Sequence, residues 1–211
     1  MLKIAIIAGE PSGDMLGSRL MHALKLKASQ DIQFMGIGGD NMHQEGLTSS
    51  YNMDILSIGG YSIDVFMAIP KILIIRQKII KQIIDFKPDV FIGVDAPDFN
   101  FYVEKKLKQA GIKTVHYVSP TIWAWRYERI FKIKKSTDLM LCLFPMEEPM
   151  YLKENIQAKF IGHHLADQIE TDIDINLYKN KLNLTNKQVF TVLVGSRKRE
   201  VNSLGTIFLV H

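Results

Sequence analysis

The chain has 211 residues, 47% of them apolar, enough for one domain with a sizeable core or for one domain and the start of another. A net charge of +4 and a pI near 9.0 suit anionic membrane surfaces or phosphorylated substrates but are too small to argue for nucleic acid. The single Cys142, inside the apolar run Leu139 to Leu143, excludes an internal disulfide and reads as a small core residue in a reducing compartment.

At the amino terminus, Met1 to Ala8 is too short for a signal peptide and lacks a cleavage site, so it reads as a first strand, Ile4 to Ala8, of a cytoplasmic protein. The following loop is Ala8-Gly9-Glu10-Pro11-Ser12-Gly13-Asp14, leading into a helix from Leu16 to Leu26. Two glycines allow a ligand to approach backbone N–H groups at a helix start. The loop is neither a Walker A sequence nor a dinucleotide fingerprint, because the lysine and the glycine spacing are both missing. A purely structural turn with Asp14 as cap competes with a ligand site in which Glu10 accepts hydrogen bonds. A second strand, Phe34 to Ile37, ends in the similar turn Gly36-Ile37-Gly38-Gly39.

Ile63 to Ile84 is rich in isoleucine, but Lys71, Arg76, Lys78 and Lys81 interrupt it, so no run reaches the ~20 apolar residues of a bilayer span. The spacing predicts a helix over Ile72 to Ile84 with Ile72, Ile75, Ile79 and Ile83 as a core stripe. Ile74 falls among the bases, and Val65 to Ile69 are almost wholly apolar. That excess beside cations suits a helix lying among lipid headgroups; extra core or a subunit contact are the competing readings.

Val90 to Val94 reads as a buried parallel strand running into Asp95-Ala96-Pro97-Asp98-Phe99-Asn100. Open α/β sheets keep their sites at such carboxyl ends. Capping of the next helix by Asp98 explains one acid and leaves Asp95 as a candidate functional group. After a helix around Val103 to Leu107 and a strand over Thr114 to Val118 comes Tyr117 to Arg126, containing Ser119, Trp123 and Trp125. Arg126, Arg129, Lys132, Lys134 and Lys135 follow closely. Rings beside cations suit a phosphorylated sugar or a membrane interface, against the plainer account of a solvated basic helix with tryptophan in the core.

Leu139 to Leu143, a helix over Met146 to Leu152 and Phe160-Ile161 complete the alternation. It predicts an α/β fold with a mainly parallel sheet. His163-His164 has no other ligand at metal spacing nearby, so no metal is expected. Residues 1–166 read as one domain and 167–187, rich in Asp and Asn with an amphipathic piece at Leu177 to Leu182, as a linker. Residues 188–211 read as the start of a second domain: a strand over Val189 to Val194, a Gly195-Ser196-Arg197 turn suited to phosphate or diphosphate, and a helix over Val201 to Val210.

Five of these segments, in order and spacing, resemble the lipid-A-disaccharide synthase family. They are Ala8 to Asp14, Asp95 to Asn100, Tyr117 to Pro120 with Trp123-Ala124-Trp125, Phe160 to His163, and Gly195-Ser196-Arg197 with Glu200. The resemblance covers essentially the whole chain. It implies the N-terminal half of a GT-B fold: a Rossmann-like parallel sheet with helices on both faces, and a second, truncated Rossmann domain. The implied reaction joins UDP-2,3-diacylglucosamine to 2,3-diacylglucosamine 1-phosphate with inversion and release of UDP, at the cytoplasmic face of the inner membrane, with no metal or cofactor.

By the same resemblance Asp95 is the expected base, Asp98 its rival, and Glu10 organises acceptor or base. Substrate contacts are expected from Gly9, Ser12, Gly13, Asn100, Ser119, Trp123, Trp125, Arg126, Gly195, Ser196 and Arg197, with Arg197 compensating the departing diphosphate. Val65, Phe66, Ile69, Leu73 and Ile74 are the expected membrane patch. One departure is Val194 before Gly195, where the family usually has proline, which implies altered loop rigidity. A larger one is length, since the family continues through most of another domain that carries the UDP-sugar site. The expectation is an acceptor half with little activity alone, aggregating or depending on a homo-oligomer or a complementary C-terminal chain, because an unpaired Val189 to Val194 strand exposes its edge. A non-catalytic lipid-binding module is the competing class, and a nucleotide-sugar epimerase fits the motif order less well.

Overall fold

A computed structural model describes residues 1–56, 63–185, 187–195 and 198–210, with the side chains of 63–68, 198–200 and 209–210 outside the description. Two compact units are present, residues 1–166 and residues 167–211. In the first, strands and helices alternate: β1 (Leu2–Ala8), α1 (Pro11–Lys27), β2 (Ile32–Ile37), α2 (Asp40–Gln44), β3 (Leu47–Ser49), α3 (Ile63–Phe86), β4 (Val90–Val94) and α4 (Pro97–Gln109). They continue with β5 (Lys113–Tyr117), α5 (Ile130–Ser136), β6 (Leu139–Cys142), α6 (Glu147–Lys153) and β7 (Gln157–Phe160); α7 (Leu165–Gln168) begins in the first unit and ends in the second.

The seven strands among the described residues pair in parallel, in the order β3-β2-β1-β4-β5-β6-β7. This is the doubly wound, Rossmann-like arrangement, with its switch point between β1 and β4. The central strands are apolar on both faces because helices cover both. Along β1, Ile4, Ile6 and Ala8 pack with Leu16 and Met21 of α1. Ala5 and Ile7 point the other way, onto Ile75, Ile79 and Ile83 of α3 and Val103 and Leu107 of α4. A third cluster joins Ile130 and Ile133 to Met140, Cys142 and Tyr151. Cys142 is the core residue expected, and burial pushes its thiol up to about 12.

Local chemistry sets the helix ends. Pro11 and Pro97 occupy the first turns of α1 and α4, where a missing N–H costs nothing. Helix α3 starts upstream of the predicted Ile72 and runs through Pro70, which forfeits one helical hydrogen bond. Register then fixes the working edge: Ala8, Val94 and Tyr117 sit side by side at the carboxyl ends of β1, β4 and β5, so the loops that follow emerge together.

The second unit holds α8 (Ile175–Lys181), whose N-cap Asp174 accepts from the N–H groups of Asn176 and Leu177, and α9 (Lys198–Val210). The expected strand over Val189 to Val194 is not formed. Those residues lack regular structure, and Phe190 and Leu193 are largely exposed. A parallel strand exists only by pairing, and among the described residues this segment has no strand beside it.

Candidate functional site at the carboxyl edge of the sheet

The loop after β4 turns sharply. Asp95 and Ala96 both take left-handed backbone, with φ of 51° and 45°, and Val118 and Arg126 on the neighbouring loop have φ of 83° and 62°. Each such residue costs roughly 1–2 kcal/mol, and a β-branched residue there is rare. Strain of this kind persists only where surrounding contacts impose it, and it gathers at ligand sites.

Asn100 supplies those contacts. Its Nδ2 donates to the carbonyls of Asp95, at 2.8 Å, and of Ile7 and Val94, at 3.3 and 3.4 Å. The Asp95 N–H donates to the Tyr117 carbonyl at 2.8 Å, tying the turn to β5. Asn100 is fully buried, and its amide nitrogen braces the turn. Gly13 is buried within α1, where it packs against Ala8 and the Val94 carbonyl. Ser12 is exposed in the first turn of α1.

Two clefts flank the turn and share Pro97. One, of about 320 Å³, is lined by Glu10, Asp98, Arg76 and the apolar Leu56, Ile72 and Phe99. The other, of about 300 Å³, is lined by Asp95, Ser119, Trp125, Arg126 and Arg129. The fold thus brings Asp95 together with the aromatic and basic segment, and Glu10 together with Asp98. Asp98 does not cap α4, whose N-cap is Ala96. It lies two residues further in, its side chain 89% exposed, and pairs with the Arg129 guanidinium. Nor does Asp14 cap its own helix. Its carboxylate accepts from the N–H groups of Gly39, Asn41 and Met42 and from Asn41 Nδ2, so it caps α2 from within α1.

Trp123 and Trp125 are 49% and 58% exposed, so neither is core; the Arg126 guanidinium lies 4.3 Å from the Trp125 ring centroid. Lys132, Lys134 and Lys135 are solvated. Ser119 Oγ lies 2.9 Å from Tyr151 Oη, and behind it sits the buried Glu147, whose carboxyl is held above its ordinary range by burial, against hydrogen bonds from Phe144, Ser119 and Leu143. Ile69, Leu73 and Ile74 are 41%, 43% and 55% exposed on α3; Val65 and Phe66 belong to the same helix, their side chains outside the description. No described helix is long and apolar enough to cross a membrane.

In the second unit Gly195 has φ 125°, while Ser196 and Arg197 lie outside the described residues. The His163 and His164 rings stack at 4.7 Å between centroids, and His163 Nδ1 accepts from the Leu165 N–H. Among the described residues no cluster of three or more His, Cys, Asp or Glu is arranged to hold a metal.

Sequence reasoning passed over Arg76 and the buried pair Glu104–His116. The signal for Arg76 was its position one helical turn from Ile72, which puts it on a packed face. A glutamate and a histidine twelve residues apart, on a helix and a strand, carry no such signal.

A family model described as Lipid-A-disaccharide synthetase matches residues 4–211. Lipid-A-disaccharide synthase of Pseudomonas aeruginosa (strain LESB58) is 46% identical over 209 residues, covering 99% of this chain and 55% of that protein. The enzyme of Azotobacter vinelandii is 44% identical over 210 residues, with the same coverage of 99% and 55%. The chain therefore spans about half the length of these curated relatives. Among solved structures, UDP-GlcNAc 2-epimerase from Neisseria meningitidis bound to UDP-GlcNAc aligns with a TM-score of 0.53 at 12% identity, over 88% of this chain and 50% of that one. A second UDP-N-acetylglucosamine 2-epimerase gives 0.53 at 13%, over 92% and 53%. At such identity the likeness concerns the fold alone, whereas the sequence match runs almost from end to end, and the chain belongs to the lipid-A-disaccharide synthase family.

Proposed function

We propose that this chain is the acceptor half of a lipid-A-disaccharide synthase. The reaction transfers 2,3-diacylglucosamine from UDP-2,3-diacylglucosamine to 2,3-diacylglucosamine 1-phosphate, giving the β-1,6-linked disaccharide 1-phosphate and UDP. Asp95 takes the proton of the acceptor hydroxyl as its oxygen attacks the donor's anomeric carbon, and the bond to UDP breaks on the opposite face, inverting that carbon. Asp98, already paired with Arg129, is the weaker candidate for the base. Residues 188–211 begin the donor-binding half, where Arg197 offsets charge on the leaving diphosphate. Ile69, Leu73 and Ile74 rest on the cytoplasmic face of the inner membrane, where an acylated substrate resides.

The observation that carries this reading is the strained turn at Asp95, at the switch point, in a chain matching the family from residue 4 to 211. The test is disaccharide formation from both substrates in detergent, followed by mass spectrometry, beside acceptor binding. Acceptor binding without product is expected of this chain alone; product from it would overturn the need for a further donor half. Supplying the donor half should restore turnover, and Asp95→Asn should abolish that turnover while leaving binding intact. A non-catalytic lipid-binding module, favoured by the exposed apolar residues of α3, predicts no turnover under either condition.

A further inference from the structure

The cleft lined by Glu10 and Asp98 contains a cation that the reaction above does not use. Arg76 projects from α3, its guanidinium carbon 3.8 Å from the Tyr102 ring centroid, and Gln77 donates to the Tyr102 hydroxyl at 3.1 Å and steadies that ring. Stacking fixes the plane of a guanidinium without consuming its N–H groups. Arg76 Nε is buried with no hydrogen-bond partner, and among the described residues no carboxylate pairs with Arg76. Two acids, Glu10 and Asp98, line the same cleft; Asp98 is taken by Arg129, which itself lines an adjoining hollow with Arg76. A half-buried cation held rigid with no carboxylate partner among the described residues is a costly arrangement unless an anion completes it.

The shape of α3 narrows the class of anion. Ile69, Ile72, Leu73 and Arg76 stand at i, i+3, i+4 and i+7, a single stripe. Ile69 and Leu73 are exposed, and Ile72 and Arg76 line the cleft. The stripe therefore runs from apolar surface to fixed positive charge, the pattern of an amphiphile with acyl chains at one end and an anionic group at the other.

We propose that Arg76 binds the phosphomonoester of the acylated sugar acceptor, with Arg129 as the neighbouring cation. This rests on the acceptor reading above. The phosphate of a phospholipid headgroup shares the same chemistry, and the test separates the two sources.

Binding of 2,3-diacylglucosamine 1-phosphate and of the same sugar without its phosphate would be measured in neutral detergent micelles, using the full chain, Arg76→Met and Arg76→Lys. Loss of the phosphate should weaken the parent chain about 10- to 100-fold, the scale of a charge-assisted hydrogen bond. Arg76→Met should weaken the phosphorylated ligand to the same degree and leave the dephosphorylated one unchanged, with Arg76→Lys between. Equal binding of both ligands by the parent chain, which needs no variant, overturns the assignment while leaving the acceptor reading intact. Binding of neither overturns the acceptor reading and the assignment with it. Micelles containing phosphatidylglycerol that bind with the same dependence on Arg76, and displace the sugar phosphate, overturn the assignment in favour of a headgroup.

Discussion

Gly9 and Ala96 meet across the switch point of the sheet, where a Cβ placed on Gly9 would lie 2.8 Å from the Cβ of Ala96. Real Cβ atoms do not approach so closely, so the absence of a side chain at Gly9 is what lets the loop after β1 lie against the left-handed turn after β4. Both neighbours of that contact, Glu10 and Asp95, are candidate functional groups. Gly9→Ala should therefore displace the turn, costing about 1–3 kcal/mol of stability as overpacking does. Acceptor titration should show a loss larger than the fall in melting temperature accounts for, because the displaced backbone is that of Asp95.

Asn100 faces three carbonyl oxygens with one amide nitrogen. Asn100→Ala should cost about 1–3 kcal/mol in urea denaturation, the penalty of leaving buried acceptors unsatisfied. Asn100→Asp should be worse than alanine, since it sets a carboxylate against the carbonyls of Ile7, Val94 and Asp95 in a buried site. Equal stability of the two variants would refute the bracing role.

Glu104 and His116, both fully buried, form a pair at 2.6 Å, and Thr137 Oγ1 donates to the other Glu104 oxygen at 2.6 Å. Removing one partner strands the other. His116→Ala should cost about 3–5 kcal/mol, whereas Glu104→Leu combined with His116→Phe should recover much of that loss. A double-mutant cycle by chemical denaturation measures the coupling.

Glu147 makes stability depend on pH. Burial raises its carboxyl above the ordinary 4.5, so the folded chain holds this proton more tightly than the unfolded chain does. The resulting stability is fully present below 4.5 and is lost as pH rises through the folded value. Glu147→Gln retains an oxygen for the Phe144 N–H and removes the titration. From pH 4.5 upward, denaturation midpoints of the parent should decline relative to those of the variant.

On α3, residues five apart should behave oppositely. Ile79 is fully buried between α3 and the sheet, so Ile79→Ala should cost about 2–5 kcal/mol. Ile74 is 55% exposed, and Ile74→Ser should stay within about 0.5 kcal/mol of the parent. Ile74→Ser should nonetheless weaken sedimentation with anionic vesicles, and unchanged sedimentation would remove Ile74 from the membrane patch.

Much of this was legible in the residues. Strand β4 was readable because a strand covered on both faces must be apolar throughout, and the acids directly after it marked the working edge. The core stripe of α3 followed from its period. The three-residue β3 went unseen, because Leu47-Thr48-Ser49 is too short and polar to stand out, and it exists by pairing with β2. The strand expected at Val189 to Val194 failed for the converse reason: its composition suits a sheet, but pairing needs a neighbour.

What the sequence determined by itself is everything that depends on near neighbours along the chain: the alternation of strand and helix, the first-turn prolines of α1 and α4, the apolar faces, and the motifs that mark the family. What only the tertiary structure decided is which distant groups share a site. Asp14 serves a helix about 25 residues away, Asp98 answers to Arg129 instead of to its own helix, and Arg76 comes to line a cleft with Glu10 and Asp98. Periodicity is set by local backbone geometry, whereas these pairings are set by strand order and register, which bring Ala8, Val94 and Tyr117 level at one edge.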